Sequence, residues 1–389
     1  MHTVMAVYGT RPEGIKVAPV IKALQDAEHL DPIVVSTGQH REMLAQVHDV
    51  FGIVPDRDLD IFQSGQGLNQ IAAKIFTELD PVLAEYSPDA LLVQGDTTTV
   101  AAAAIAAFYR SIPVIHLEAG LRSGDILSPF PEEANRKITS QIAALHLAPT
   151  AESRDNLLRE AVDPSTIAIT GNTVIDTLFR VSSLDVQFTD PLISEAIETH
   201  ERVLAVTSHR RENIGEPMRH IGAALARLST LYPQDAIIFP IHRNPKVREL
   251  IVPIIEDLPN VVVTDPLDYL EFTHLLHAAH IVLTDSGGVQ EEAPSLGKPV
   301  LVLRENTERP EAVLAGTVKL IGTDEERIVT EVSHLKDSQT AYETMARAVN
   351  PYGDGHAAER TVAAISAMFG EGERLPDFDP TQPGIGSVE

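Results

Sequence analysis

The stretch DALLVQGDTTTVAAAAIAAFYRSIPVIHLE, residues 89–118, decides the fold. Its ends, DALLVQG and IPVIHLE, are short apolar runs without polar alternation, and the Ala-rich TTVAAAAIAAFYR between them has helical periodicity. A strand that is apolar on both faces has to be covered on both, and strand–helix–strand units of this kind build a parallel sheet. The alternation continues outward. TVMAVYG precedes IKVAPVIKALQDA, DPIVVST precedes REMLAQVHDVF, and IPVIHLE precedes EEANRKITSQIA. It returns after residue 200 in RVLAVTSH, DAIIFPIH, NVVVTD, HIVLTDS and KPVLVLR. Two doubly wound α/β domains are predicted.

Strand periodicity lapses at TGNTVIDTLFRVSSLD, which places a hinge within 171–185 and divides the chain into residues 1–172 and 173–352. A final amphipathic helix over 355–369 follows the turn residues NPYGDG, and 370–389, rich in Pro, Gly and acid, reads as a disordered tail. In parallel sheets ligands sit outside the carboxyl ends of strands, and two facing domains would share theirs in a cleft.

Composition narrows the function. With 56 acidic against 30 basic residues the formal charge is −26, which argues against nucleic acid or an anionic membrane as partner. Zero cysteines remove thiolate and disulfide chemistry. There is no basic segment leading into an apolar one at the start and no run of about 18 apolar residues, so a cytoplasmic protein is expected.

The chemistry-bearing residues cluster at predicted strand ends. In VYGTRPEGIK, Gly9 permits a close turn, Thr10 suits a helix cap, and Arg11 and Lys16 bring positive charge to a helix N-terminus; a phosphate site and a plain capped helix both fit. Asp96 in LLVQGDTTT is either an N-cap or an acid/base group. HLEAGLRSGDILSPFPEEANR gathers Glu118, Asp125, Glu132 and Glu133 with Arg122 and Arg136, more carboxylates than a connecting loop needs. VTSHRRENIGEP and FPIHRNP put His209, Arg210 and His242 at two further strand ends. In LTDSGGVQEEAP, Ser286, Gly287 and Gly288 open a helix whose free N–H groups would face an anion. No G-x-G-x-x-G dinucleotide fingerprint accompanies these segments, and His274, His277 and His280 fan around a helix instead of converging on a metal.

In this order GTRPEGIK, TGQHREML, QGDTTT, HLEAGLRSGD, SPFPEEANR, GNTVID, SHRRENIGEP, IHRNP, DSGGVQEEAPSLGKPVL and RENTERPEAV resemble the non-hydrolysing UDP-N-acetylglucosamine 2-epimerases, from residue 1 to about residue 368. The resemblance implies two Rossmann-like domains facing a cleft in the glycosyltransferase B arrangement, the last helix crossing back to the first domain. It implies reversible inversion at C2 of UDP-GlcNAc, without cofactor or metal, in a cytoplasmic homodimer.

By the same resemblance Asp96, Glu118 and Glu132 match the catalytic acidic positions, and His209 lies near the pyrophosphate and sugar. Arg11, Lys16, Ser286, Gly287, Gly288 and Arg309 match phosphate and UDP contacts, Glu292 the ribose contact and Phe272 the neighbour of uracil. Gln39, Gln66, Arg210 and His242 match positions where some bacterial members bind a second UDP-GlcNAc as activator. Gly14 stands where Ala is usual, expected to loosen the helix by about 1 kcal/mol. A UDP-sugar glycosyltransferase, a hydrolysing 2-epimerase and a non-catalytic nucleotide-sugar sensor are the alternatives.

Overall fold

The structure, a computed structural model, describes residues 1–38, 41–63, 65–307 and 309–382, the side chains of 41–43 excepted. The chain forms two compact units, the first comprising Met1–Thr177 and Tyr352–Glu389, the second Leu178–Pro351.

The first unit holds a seven-stranded parallel sheet: β1 (His2–Tyr8), β2 (Leu30–Ser36), β3 (Arg57–Asp58), β4 (Ala90–Gln94), β5 (Val114–Leu117), β6 (Ala143–Ala148) and β7 (Ile167–Ile169), in the order β3-β2-β1-β4-β5-β6-β7. The second holds six: β8 (Val203–Thr207), β9 (Ala236–Pro240), β10 (Val261–Thr264), β11 (Ile281–Thr284), β12 (Val300–Val302) and β13 (Val318–Leu320), in the order β10-β9-β8-β11-β12-β13. Both sheets are doubly wound. Strand order reverses between β1 and β4, where Ala6 faces Leu92, and between β8 and β11, where Thr207 faces Thr284. At such reversals the flanking helices diverge and leave a crevice at the carboxyl ends.

Each sheet is apolar on both faces, as the unalternating runs require. Met5, Val7, Leu91 and Val93 join one core with Ile75, Leu79 and Val100; Val206, Phe239 and Leu283 join another with Ile221, Leu225 and Ile251. Each such side chain contributes roughly 1.5–3 kcal/mol by leaving water. The helix Thr98–Tyr109 packs beside Leu68–Tyr86 and Glu132–Ile142, and its buried alanines permit that closeness.

The division of the chain falls inside a helix, Thr173–Ser182, and not in a loop. Its small polar residues disguise an apolar face of Val174, Ile175, Leu178 and Val181, all buried at helical spacing. The final helix, Ala357–Met368, belongs to the first unit and packs on Arg11–Asp26. Of the predicted tail, residues 370–382 are described and make specific contacts, and 383–389 lie outside the described residues. Arg374 donates to Ser165 O and Ile167 O, Asp377 accepts the Ile169 N–H, the Phe378 N–H reaches Ile169 O, and the Phe378 ring is buried under Arg360. An open edge of β7 offers these backbone partners, and composition counts no such partners. No described helix is long and apolar enough to cross a membrane.

Candidate active site

At the carboxyl end of β1 the chain turns through Gly9, where a Cβ would lie 2.0 Å from the Thr37 hydroxyl, so no other residue fits without a shift. Thr10 caps the helix Arg11–Asp26 in a capping box with Glu13, whose carboxylate accepts from the Gly9 and Thr10 N–H groups at 2.9 and 2.7 Å and from the Thr97 hydroxyl at 2.5 Å. Burial pushes the Glu13 carboxyl up, although these bonds pull against it. Glu13 thus fastens the turn bearing Arg11 to the turn after β4. Gly14 is a packing choice: a Cβ there would come within 2.5 Å of Leu44.

Asp96 follows β4, and it is not the cap of the next helix. Thr97 is, accepting from the Val100 N–H. The Asp96 carboxylate pairs with Arg136 at 2.5 Å, and Asn135 donates to the Asp96 carbonyl at 2.8 Å. Both partners lie on the helix Glu132–Ile142, which begins with Glu132; Glu132 and Arg136 share a face at i, i+4. Glu132 Oε2 is buried without a hydrogen-bond partner, an acceptor that a ligand donor can satisfy.

Glu118 ends β5 with φ of +64°, a left-handed conformation costing roughly 1–2 kcal/mol in a side chain of this kind. Its carboxylate is bound by Lys16 and by Gln94 at 2.5 Å and Asn172 at 3.0 Å, and a Cβ on Gly95 would lie 3.6 Å from it. Glu118 and the Asp96 turn are therefore neighbours. Lys16, matched by resemblance to a phosphate contact, is here engaged by Glu118.

The remaining acids and bases of that loop are structural. Glu133 is fully buried, accepts from the Ser123 N–H and ties Arg136 at 2.9 Å. Arg122 forks onto Glu160, whose carboxyl the Arg122 bonds hold down at about 2, and Asp125 closes an exposed turn. His116 is buried and donates toward Gly95 O at 2.8 Å; burial pushes its imidazole down to about 4 and keeps it neutral.

In the second unit β8 and β11 deliver His209 and Asp285 together. Asp285, fully buried, accepts from the Ser208 hydroxyl (2.9 Å), the His209 and Arg210 N–H groups (3.0 Å each) and Asn213 (3.0 Å), with His209 Nδ1 at 3.2 Å. Burial opposes its charge, but the His209 ring, the Arg210 N–H and the Ser208 hydroxyl outweigh it and hold the carboxyl below the usual range. The His209 ring, with Nδ1 turned to Asp285, stacks on His242 with centroids 5.9 Å apart.

Ser286, Gly287 and Gly288 lead into the short helix Val289–Ser295, and a Cβ on Gly288 would meet nothing within 4 Å. Within it Glu291 holds Arg309 at 2.6 Å, and Glu292 accepts from the Tyr269 hydroxyl at 3.4 Å, one turn from half-buried Phe272. Gln66 lies in the first unit, its carbonyl engaged by the Gln63 N–H at 2.7 Å, while Arg210 and His242 flank His209 in the second. Gln39 lies outside the described residues. Among the described residues no cluster of three metal-ligating side chains occurs.

Sequence reasoning missed Gln94, Asn172 and Asp285 as partners of site residues. Each carries the same faint signal, a polar residue at or just beyond a strand end, here Gln94 closing β4, Asp285 directly after β11 and Asn172 shortly after β7.

Two doubly wound units, one presenting carboxylates and the other a carboxylate-held histidine beside a glycine-opened helix, define an enzyme of two Rossmann-like domains. More particularly, the chain belongs to the UDP-N-acetylglucosamine 2-epimerase family, whose sequence model matches residues 22–366. It is 52% identical over 368 residues to the UDP-N-acetylglucosamine 2-epimerase of Escherichia coli K12, covering 93% of this chain and 98% of that one. It superposes with a TM-score of 0.84 on the Neisseria meningitidis UDP-GlcNAc 2-epimerase bound to UDP-GlcNAc, at 46% identity, covering 94% and 100% of the two chains. The Staphylococcus aureus MnaA–UDP structure gives 0.85 at 44% identity, covering 97% and 100%.

Proposed function

We propose that this chain interconverts UDP-GlcNAc and UDP-ManNAc without hydrolysis, by eliminating UDP and adding it back. The C2–H bond of an N-acetylhexosamine is not acidified by a carbonyl, so direct proton exchange is too slow. Elimination avoids that difficulty. A base takes the C2 proton, the C1–O bond breaks with its electrons passing to the β-phosphate of UDP, and C1 and C2 become the double bond of 2-acetamidoglucal. An acid then protonates C2 from the opposite face while UDP re-forms the bond at C1.

Carboxylates on the ring and cations on the leaving pyrophosphate are the groups this route needs. Asp96, Glu118 and Glu132 supply the first set. Arg11, Lys16 and Arg309 supply the second, with His209 near the pyrophosphate and sugar, the N–H groups of Ser286, Gly287 and Gly288 as further donors, Glu292 on the ribose and Phe272 beside uracil. The observation that carries this reading is the gathering of the strand-end carboxylates: Asp96 and Glu118 each held by a cation, and Glu132 beside them with one buried oxygen left to bond. Nothing in the route calls for NAD or a divalent metal. The same reading makes the protein a cytoplasmic homodimer.

Proton NMR of UDP-GlcNAc incubated with the protein in deuterium oxide tests it. Deuterium should enter C2 of both recovered nucleotide sugars, with NAD and metal omitted. Epimer that keeps all its C2 protium, or release of free N-acetylmannosamine alone, would overturn the route.

A further inference from the structure

GNTVID, residues 171–176, has no role in the chemistry above, yet its asparagine reaches the site. We infer that Asn172 is a positioning residue that fixes the Glu118 carboxylate and sets its proton affinity; the inference rests on the functional reading just given.

The strained backbone of Glu118 aims its side chain off the strand end, but three further torsions remain free, and it is donors that settle where the two oxygens lie. Those donors come from three segments: Lys16 from the first helix, Gln94 from the end of β4, and Asn172 from beyond β7. Asn172 is itself held without ambiguity. Its Oδ1 accepts the Val174 N–H at 3.2 Å, which leaves Nδ2 to donate to Glu118 Oε1. Its own N–H donates to Tyr352 O at 2.6 Å, and only 4% of the residue is exposed.

Two glycines allow the backbones this closeness. A Cβ on Gly353 would come within 3.4 Å of Asn172 O and 3.1 Å of Ile175, and Gly171 takes φ of +84° with its Cβ position 3.5 Å from Gly353. So much local constraint around one half-turn has the placement of this amide as its product.

An amide N–H on a carboxylate favours the charged form. Removing it lets the proton bind more tightly, so whichever limb of the pH profile belongs to Glu118 moves to higher pH. The effect is independent of whether Glu118 acts as base or as acid in the direction measured.

Asn172→Asp keeps the acceptor for the Val174 N–H and puts in place of the donor a carboxylate oxygen, whose charge beside Glu118 adds to the upward displacement. Epimerisation of UDP-GlcNAc should show kcat reduced about 10- to 100-fold, the scale on which a small misplacement acts. KM should stay within about twofold, and one limb of the kcat profile should move upward by at least half a pH unit. Asn172→Ala, which removes the donor without adding charge, should show a limb displaced in the same direction with a smaller loss, and it carries the test if the aspartate variant does not fold. Folded variants with wild-type kcat and unmoved limbs, or with only a lowered melting temperature, would overturn the inference. Wild-type protein that fails to epimerise sinks the functional reading instead.

Discussion

Asp96 shows how little separates a cap from a catalyst in sequence. Asp and Thr both cap helices, and in QGDTTT either fits. The structure gives the cap to Thr97 and the Arg136 partner to Asp96, so the two roles can be taken apart by substitution. Asp96→Asn should leave thermal unfolding within a degree or two of wild type and lower the epimerisation rate by about 100-fold or more. Thr97→Ala should do the reverse, destabilising by about 1 kcal/mol with much of kcat retained. An active Asp96→Asn variant would return that residue to a structural role. The surplus of carboxylates in 116–136 resolves the same way. Glu118 is held by Lys16, Gln94 and Asn172 and Glu132 keeps a buried oxygen without a hydrogen-bond partner, while Glu133 spends its charge on Ser123 and Arg136. No spacing rule distinguishes adjacent Glu132 and Glu133, because one step along a helix turns a side chain by about 100°. Only the packing of that helix decides which faces inward.

Among the elements, strands and their helices were legible because periodicity is local. The partners of site residues were not, because Asn172 meets Glu118 from 54 residues away and Asp285 meets His209 from 76. The final helix holds a case of the same kind. Asp176 accepts the Ala358 and Ala357 N–H groups at its start, at 2.8 and 3.3 Å, beside Asp354, which forks with Arg360. A carboxylate at a helix N-terminus ordinarily stabilises. Here burial wins and pushes the Asp176 carboxyl up to about 6, against those N–H groups, with Asp354 adding to the rise. A carboxyl raised above its unfolded value contributes stability that is complete below about pH 4 and lost as pH rises through about 6. Wild type should therefore lose on the order of 2–3 kcal/mol relative to Asp176→Asn between pH 4 and pH 7. Denaturant titrations of both proteins at the two pH values measure it, and an unchanged difference would mean that Asp176 stays ionised throughout.

At the scale of the whole molecule, two winding reversals put polar and charged residues at predictable strand ends, which is why the fold and the strand-end positions of the candidate residues were legible in the sequence. Regulation is harder to read, and the geometry around His209 says how it would work. Asp285 bonds both the His209 ring and the Arg210 N–H, and His242 stacks on His209. A ligand held by Arg210 and His242 would therefore touch the frame that orients His209. If a second UDP-GlcNAc binds there, it activates only to the extent that it binds the active form more tightly than the inactive one. UDP-ManNAc given alone would start without that activator and generate it by turnover. Progress curves from pure UDP-ManNAc should then show a lag that a trace of UDP-GlcNAc abolishes. In Arg210→Ala, which keeps the backbone bond to Asp285, the trace should lose its effect while a slow basal rate persists. Hyperbolic kinetics from UDP-ManNAc with no lag would leave the proposed roles of His209 and the carboxylates standing and assign Arg210 and His242 to the frame alone.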